Sequence, residues 1–331
     1  MTNRSEAIDY IKGIAIISVI SAHCNAVLDT RNRFALISSL ILQNIGTLGV
    51  ICFFVISGIL FHYRGNGVGS FFAKKARNII IPWCISATCV YLYVYLRKPP
   101  ITMRGYLNFI LGNGSYCYYL TVLIVLYVLF VFFPFMRKNF ILIVCMGITV
   151  FSTFCLYDIG GVNPYLNIFN WIGYFAIGVY ISENQKAWIW LKQKITSHIF
   201  FWLILGGGIY VAILIYQIYH QSCGGYWNGL NVISCWSGSI VVVLTSNVIE
   251  KRKDSLFKRT ILQAGRDSFG IYIWHMPVAG IIARIMSIRA MAWLVIIRPI
   301  IVLLIMLVII RVTKKIMFKM KHEKYLRYLG I

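Results

Sequence analysis

The chain has 331 residues, 60% of them hydrophobic and only 12% charged, with a formal net charge of +23. A soluble domain carries about 25% charged residues, so a chain this poor in charge cannot cover a water-facing surface and takes the bilayer as its main solvent. Lys and Arg fall between apolar runs, which excludes a nucleic-acid-binding face and assigns the charge to membrane topology.

Backbone groups in lipid must pair internally, so the spans are helices or a closed barrel. Barrel strands alternate polar and apolar residues, whereas this chain has unbroken apolar runs at 122–135 and 300–310. The expected fold is therefore all-α and polytopic, with about ten spans at 8–28, 38–62, 78–96, 116–136, 140–157, 166–182, 199–219, 228–249, 268–286 and 291–311. The first run is too long for a cleaved secretory leader and carries Asp9 and Lys12 at its start, so it is expected to be retained. Residues 1–331 form one transmembrane domain with a basic tail at about 312–331. The longer connectors lie near 62–77, 97–115, 183–198 and 250–267.

With the N-terminus inside, 24 of the 32 Lys and Arg face the cytoplasm and 8 face outward. That bias obeys the positive-inside rule and places both termini in the cytoplasm. The tail, whose Lys and Arg alternate with Met317, Phe318, Tyr325 and Leu326, reads as a flank lying on anionic lipid. Seven of the nine cysteines lie inside apolar runs as small hydrophobes, while Cys117 and Cys223 sit at span edges. No Cys/His group has metal-ligand spacing, so no metal is expected.

Ionisable side chains inside spans are costly and mark function by default. The first span carries Asp9, Lys12 and His23. At about 100° per residue, Lys12 and His23 differ by roughly 20°, and Asp9 and His23 by roughly 40°, so all three share one stripe. Lys12 and His23 are separated by about 16 Å along the axis, too far to touch but within reach of one long ligand. Asp9 and Lys12 can also serve as a salt-bridged helix start, with the lysine snorkelling to the interface. His23, flanked by Ser21, Cys24 and Asn25, either packs as a neutral ring or does proton chemistry. A second intramembrane histidine ends the run Ser268-Phe-Gly-Ile-Tyr272-Ile-Trp-His275-Met-Pro277. Its Ser268, Tyr272 and His275 share a helix face, and Pro277 frees backbone carbonyls. Between them in sequence, Phe53-Phe-Val-Ile-Ser57-Gly58-Ile-Leu60 precedes a basic stretch with Lys74, Lys75, Arg77, Asn78 and Pro82. Such a cluster serves topology, anionic lipid or a phosphorylated ligand.

Taken in order, these motifs resemble membrane-bound acyltransferase family 3, which O-acetylates bacterial surface polysaccharides. The first-span pattern is Asp9, Lys12-Gly13-Ile14-Ala15 and His23. The Phe-Phe-x-Ile-Ser-Gly-x-Leu motif lies at 53–60, the basic run into proline at 74–82, and the Ser-x-x-Ile-Tyr-x-x-His-x-Pro motif at 268–277. Lys12 stands where the family usually has Arg, keeping the charge without the planar fork, and Asn78 stands where another Arg is common. No extracytoplasmic hydrolase-like domain is expected.

The resemblance implies an enzyme of a bacterial inner membrane, with no permanently bound cofactor. Acetyl-CoA, or another acyl-CoA, is the donor. A glycan or lipid-linked glycan, such as O-antigen, capsule or exopolysaccharide, is the acceptor. Lys74, Lys75, Arg77 and Lys12 are expected to hold the CoA phosphates on the inner side. His23 then acts as general base, or is itself acylated, in a catalytic group with Lys12 and Asp9. Asn25, Ser57, Tyr272 and His275 are expected to line the acceptor path or to stabilise the oxyanion. Membrane lipids complete the expected partners; nucleic acid is not among them. The second function considered is a proton-coupled transporter or flippase of a lipid-linked saccharide.

Overall fold

A computed structural model describes residues 5–24, 32–61, 63, 67–95, 101–156, 161, 163–221, 229–285 and 294–331. Among these, every regular element is helical: α1 (Glu6–Cys24), α2 (Arg33–Ile59), α3 (Val68–Lys75), α4 (Ile81–Tyr95), α5 (Met103–Leu111), α6 (Tyr118–Phe132) and α7 (Asn139–Cys155) form the first half. The second half holds α8 (Ile172–Glu183), α9 (Gln185–Ser197), α10 (Ile199–Tyr219), α11 (Gly229–Lys251), α12 (Leu256–Arg266), α13 (Ser268–Ile285) and α14 (Leu294–Lys319). Each of the ten expected spans contains a helix. Seven are long and apolar enough to cross a membrane; α6, α7 and α8 are apolar but shorter.

The connectors hold four further helices, α3, α5, α9 and α12, that apolar run length does not reveal. Thr102 caps α5 by accepting from the Gly105 N–H, and Ser255 caps α12 by accepting from Lys258. α12 is amphipathic: Ile261, Leu262, Ala264 and Gly265 are buried, whereas Arg259 and Arg266 are exposed. Between α3 and α4 the backbone widens into a π-helical turn, Ala76–Ile80, in which the Ile81 N–H bonds the Ala76 carbonyl. Pro82 follows at once and offers no N–H to the Asn78 carbonyl, so the ordinary helical ladder is already broken there.

α1 is the axle of the bundle and packs against α2, α11, α12, α13 and α14. Apolar side chains gain little by leaving lipid for protein, so helices in a bilayer associate through close backbone approach. Small residues permit it here. Gly46 and Gly49 of α2 lie against Ala22 and the Ala15 carbonyl of α1. Ser18 donates to the Ile45 carbonyl at 2.5 Å and accepts from the Gly49 N–H at 2.9 Å, bridging one turn of α2. On the other flank of α1, Gly13 meets the Ile261 carbonyl, and Gly265 meets that of Asp9. α2 and α8 cross through a reciprocal pair: Gly58 lies against the Phe175 carbonyl and Gly178 against that of Val55. Phe200, Ile204 and Tyr219 on α10, with Phe140 and Phe151 on α7, remain exposed. Such faces suit contact with acyl chains.

The basic C-terminal stretch also makes contacts with protein. α14 continues through Arg311 to Lys319, and a tight helical turn, Glu323–Leu329, folds back onto protein. Leu326 and Leu329 are partly buried, and Ile331 packs on the main core. Leu326, Leu329 and Ile331 give the tail a face to bury, which charge counting overlooks.

A leucine at position 178 would drive its side chain into the α2 backbone. Gly178→Leu is expected to destabilise the protein by about 1–3 kcal/mol, read as a lower melting temperature in detergent. Ala substituted at Gly208, inside α10 with nothing within 4 Å, should not lower that temperature.

Candidate functional site

The α1 stripe divides between two cavities. Lys12 lines one of about 280 Å³, together with Ser57, Lys75, Asn78, Tyr127 and Ser268. His23 lines another of about 810 Å³, with Gln43, Tyr93, Tyr95, Phe109, Tyr118, Tyr165 and Arg284 among its walls. The two lie towards opposite ends of α1 and α13. They share two wall residues, Tyr119 of α6 and Tyr272 of α13. Those rings stand edge-on with centroids 5.6 Å apart, a thin aromatic partition between the chambers.

The two histidines meet beside this partition. The His23 ring lies 5.1 Å from that of His275, and Tyr116 stands edge-on to both at 6.3 and 5.6 Å. His275 is fully buried. Its Nδ1 is 2.7 Å from the Tyr272 carbonyl, which can only accept, so Nδ1 carries the proton. The lone pair is thereby left on Nε2, which is buried and has no hydrogen-bond partner among the described residues. Two further bonds fasten α13 to the loop before α6. The Tyr272 hydroxyl donates to the Tyr116 carbonyl, and the Tyr116 hydroxyl donates to the Ile273 carbonyl at 3.2 Å.

The basic cluster is split by exposure. Lys75 is half-buried, and its Nζ sits 4.1 Å above the Tyr127 ring. Lys74 and Arg77 are exposed on the same segment, outside the cavity lining. Ser57 lies in the smaller cavity, away from the His23 chamber, and its Oγ is 3.0 Å from the Tyr119 hydroxyl. Asp9 lines neither cavity. Its carboxylate is buried and pairs with Arg266 of α12 at 3.3 Å, beside the Glu6–Lys258 pair at 2.8 Å. Asn25 and Cys223 lie outside the described residues. No group of three or more His, Cys, Asp or Glu among the described residues could hold a metal.

Sequence reasoning passed over Tyr116, Tyr119 and Tyr127. A tyrosine-rich run at the start of a span reads as an interfacial belt, and uncharged side chains raise no alarm in an apolar segment. The only signal was density, in Ser115-Tyr-Cys-Tyr-Tyr119.

The Asp9–Arg266 pair predicts unequal losses. Arg266→Ala deprives a buried carboxylate of a charge-assisted hydrogen bond and should cost on the order of 2 kcal/mol. Asp9→Asn leaves an arginine whose side chain is already 47% exposed, and should cost less in the same detergent melting experiment.

Comparison with known proteins bears on the chemistry. The family described as the acyltransferase domain of acyltransferase family 3 matches residues 5–313, nearly the whole chain. No curated protein and no solved structure matches it. With its bundle of apolar helices built around the motif-bearing α1 and α13, the chain belongs to acyltransferase family 3 and is a membrane acyltransferase.

Proposed function

We propose that this enzyme moves an acetyl group from cytoplasmic acyl-CoA to a hydroxyl of a cell-surface glycan or its lipid-linked precursor, across a ten-span bundle with both termini inside. One observation carries the proposal: two chambers approach from opposite ends of α1 and share Tyr119 and Tyr272 as wall residues. Lysines line the first, and a histidine with many aromatic rings lines the second. A polyanionic donor and a neutral, ring-shaped acceptor call for walls of those two kinds.

In this reading Lys74 and Arg77, exposed on the segment beside the cavity, and Lys75 and Lys12, which line it, meet the CoA phosphates, and the acyl arm runs inward. The thioester passes the Tyr119–Tyr272 partition to reach His23. His23 takes the proton of the acceptor hydroxyl as its oxygen attacks the thioester carbon. The hydroxyl of Tyr119, which borders both chambers, leaves Ser57 and donates to the developing oxyanion. The C–S bond then breaks, and the protonated imidazole returns its proton to the departing thiolate. His275 stands behind His23 with its Nε2 lone pair, where it favours the transient imidazolium. The tyrosines of the larger chamber stack on the faces of a pyranose, while Gln43 and Arg284 meet its substituents.

The test is transfer of labelled acetyl from acetyl-CoA to a membrane glycolipid extract by purified protein. His23→Ala is expected to lose at least about 100-fold in rate while keeping its fold and its affinity for CoA. A folded His23→Ala enzyme at near wild-type rate would sink the assignment. Absence of both transfer and CoA binding in the wild type would favour the transporter instead. Lys75→Ala should raise KM for acetyl-CoA by about tenfold, the loss of one phosphate contact, with kcat at saturating donor retained.

A further inference from the structure

The tail turn Glu323–Leu329 packs against the π-helical turn, α4 and α14. Its end is pinned to α13. Trp274 donates from Nε1 to the Leu329 carbonyl at 3.0 Å. Gly330 adopts φ +72°, and a Cβ there would meet Ile273 Cδ1 at 2.6 Å. A Cβ at Gly270 would lie 2.9 Å from the Gly330 carbonyl oxygen, so two glycines let tail and helix touch backbone to backbone. Ile331 completes the contact by packing on the main core.

The elements joined in this way form two of the walls of the Lys12 chamber, the others coming from α1, α2 and α6. Phe269 and Tyr272 come from α13, while Lys75, Asn78 and Ile79 come from α3 and the π-helical turn. A π turn is a soft point in a helix, and such turns recur where a helix must yield at a functional site. An element bound to both walls therefore restrains the joint that would otherwise flex. Lys321, Lys324 and Arg327 are exposed on the same segment and add positive charge on that side.

We infer that residues 323–331 are a clamp that sets the width of the Lys12 chamber, with Trp274, Gly270 and Gly330 as its positioning residues for the acyl-CoA arm. This rests on the reading of that chamber as the donor site.

The experiment compares the purified full chain with Gly330→Leu, which strains a positive φ and collides with Ile273, and with deletion of 323–331. CoA binding is followed by titration calorimetry, and KM is measured separately for acetyl-CoA and for glycolipid. Both variants should weaken CoA binding and raise KM for acetyl-CoA about tenfold, with acceptor KM and saturated kcat within about twofold. A merely structural tail would raise KM for both substrates and lower kcat together with the melting temperature, and that result overturns the inference. So does unchanged donor affinity in Gly330→Leu when proteolysis shows the tail released. If neither variant folds, Trp274→Phe removes the pinning hydrogen bond, with some loss of ring packing, and should raise the donor KM two- to threefold or so, an unchanged donor KM counting against the clamp. A wild-type protein that binds no CoA would instead overturn the donor-site reading itself.

Discussion

Close approach of α1 to its neighbours is the constraint on which the rest of this structure depends. In lipid there is no hydrophobic gain in bringing two apolar helices together, so the packing must come from backbone proximity and polar links. Gly46 and Gly49 on one flank, and Gly13 and Gly265 on the other, bring α2 and α12 within backbone reach of α1. The Ser18 bridge to Ile45 and Gly49 then fixes the register of α1 on α2. That register decides that Lys12 opens into one chamber and His23 into the other.

A buried acid beside this axle takes on a structural role. The Asp9 carboxylate lies against Arg266, the last residue of α12, and fastens that surface helix to the start of α1. α12 runs into α13 through Asp267, itself held by Lys314 at 2.6 Å and by Gln263. The ion pairs of Glu6, Asp9 and Asp267 thus tie α1, α12 and α14 together just before the helix that carries Tyr272 and His275. Few charges are available in so apolar a chain, and several of them hold the site-bearing helices in place.

The partition between the chambers bears on acyl transfer. Tyr119 and Tyr272 are long, rigid and amphipathic, so each can seal a gap with its ring and still present a hydroxyl. The Tyr272 hydroxyl is taken up by the Tyr116 carbonyl, whereas that of Tyr119 meets Ser57. In the proposed reaction this asymmetry leaves Tyr272 as the anchored side of the opening and Tyr119 as the side able to exchange its partner for the substrate carbonyl.

The sequence alone determined the solvent of this protein, its helical class and the approximate places of its spans, because each follows from local composition and the length needed to cross a bilayer. It also singled out Lys12, His23, Lys75, Tyr272 and His275, since polar side chains in apolar runs stand out and helical periodicity puts neighbours on one face. The pairing of Asp9 with Arg266, 257 positions away, was hidden. So were the roles of Tyr116 and Tyr119 and the return of the tail onto Trp274. Only tertiary structure decided these, for a physical reason: they depend on which faces of distant helices come into contact. That is set by glycine-mediated approach and by hydrogen bonds to carbonyls far along the chain, neither of which leaves a periodic mark in the residues themselves.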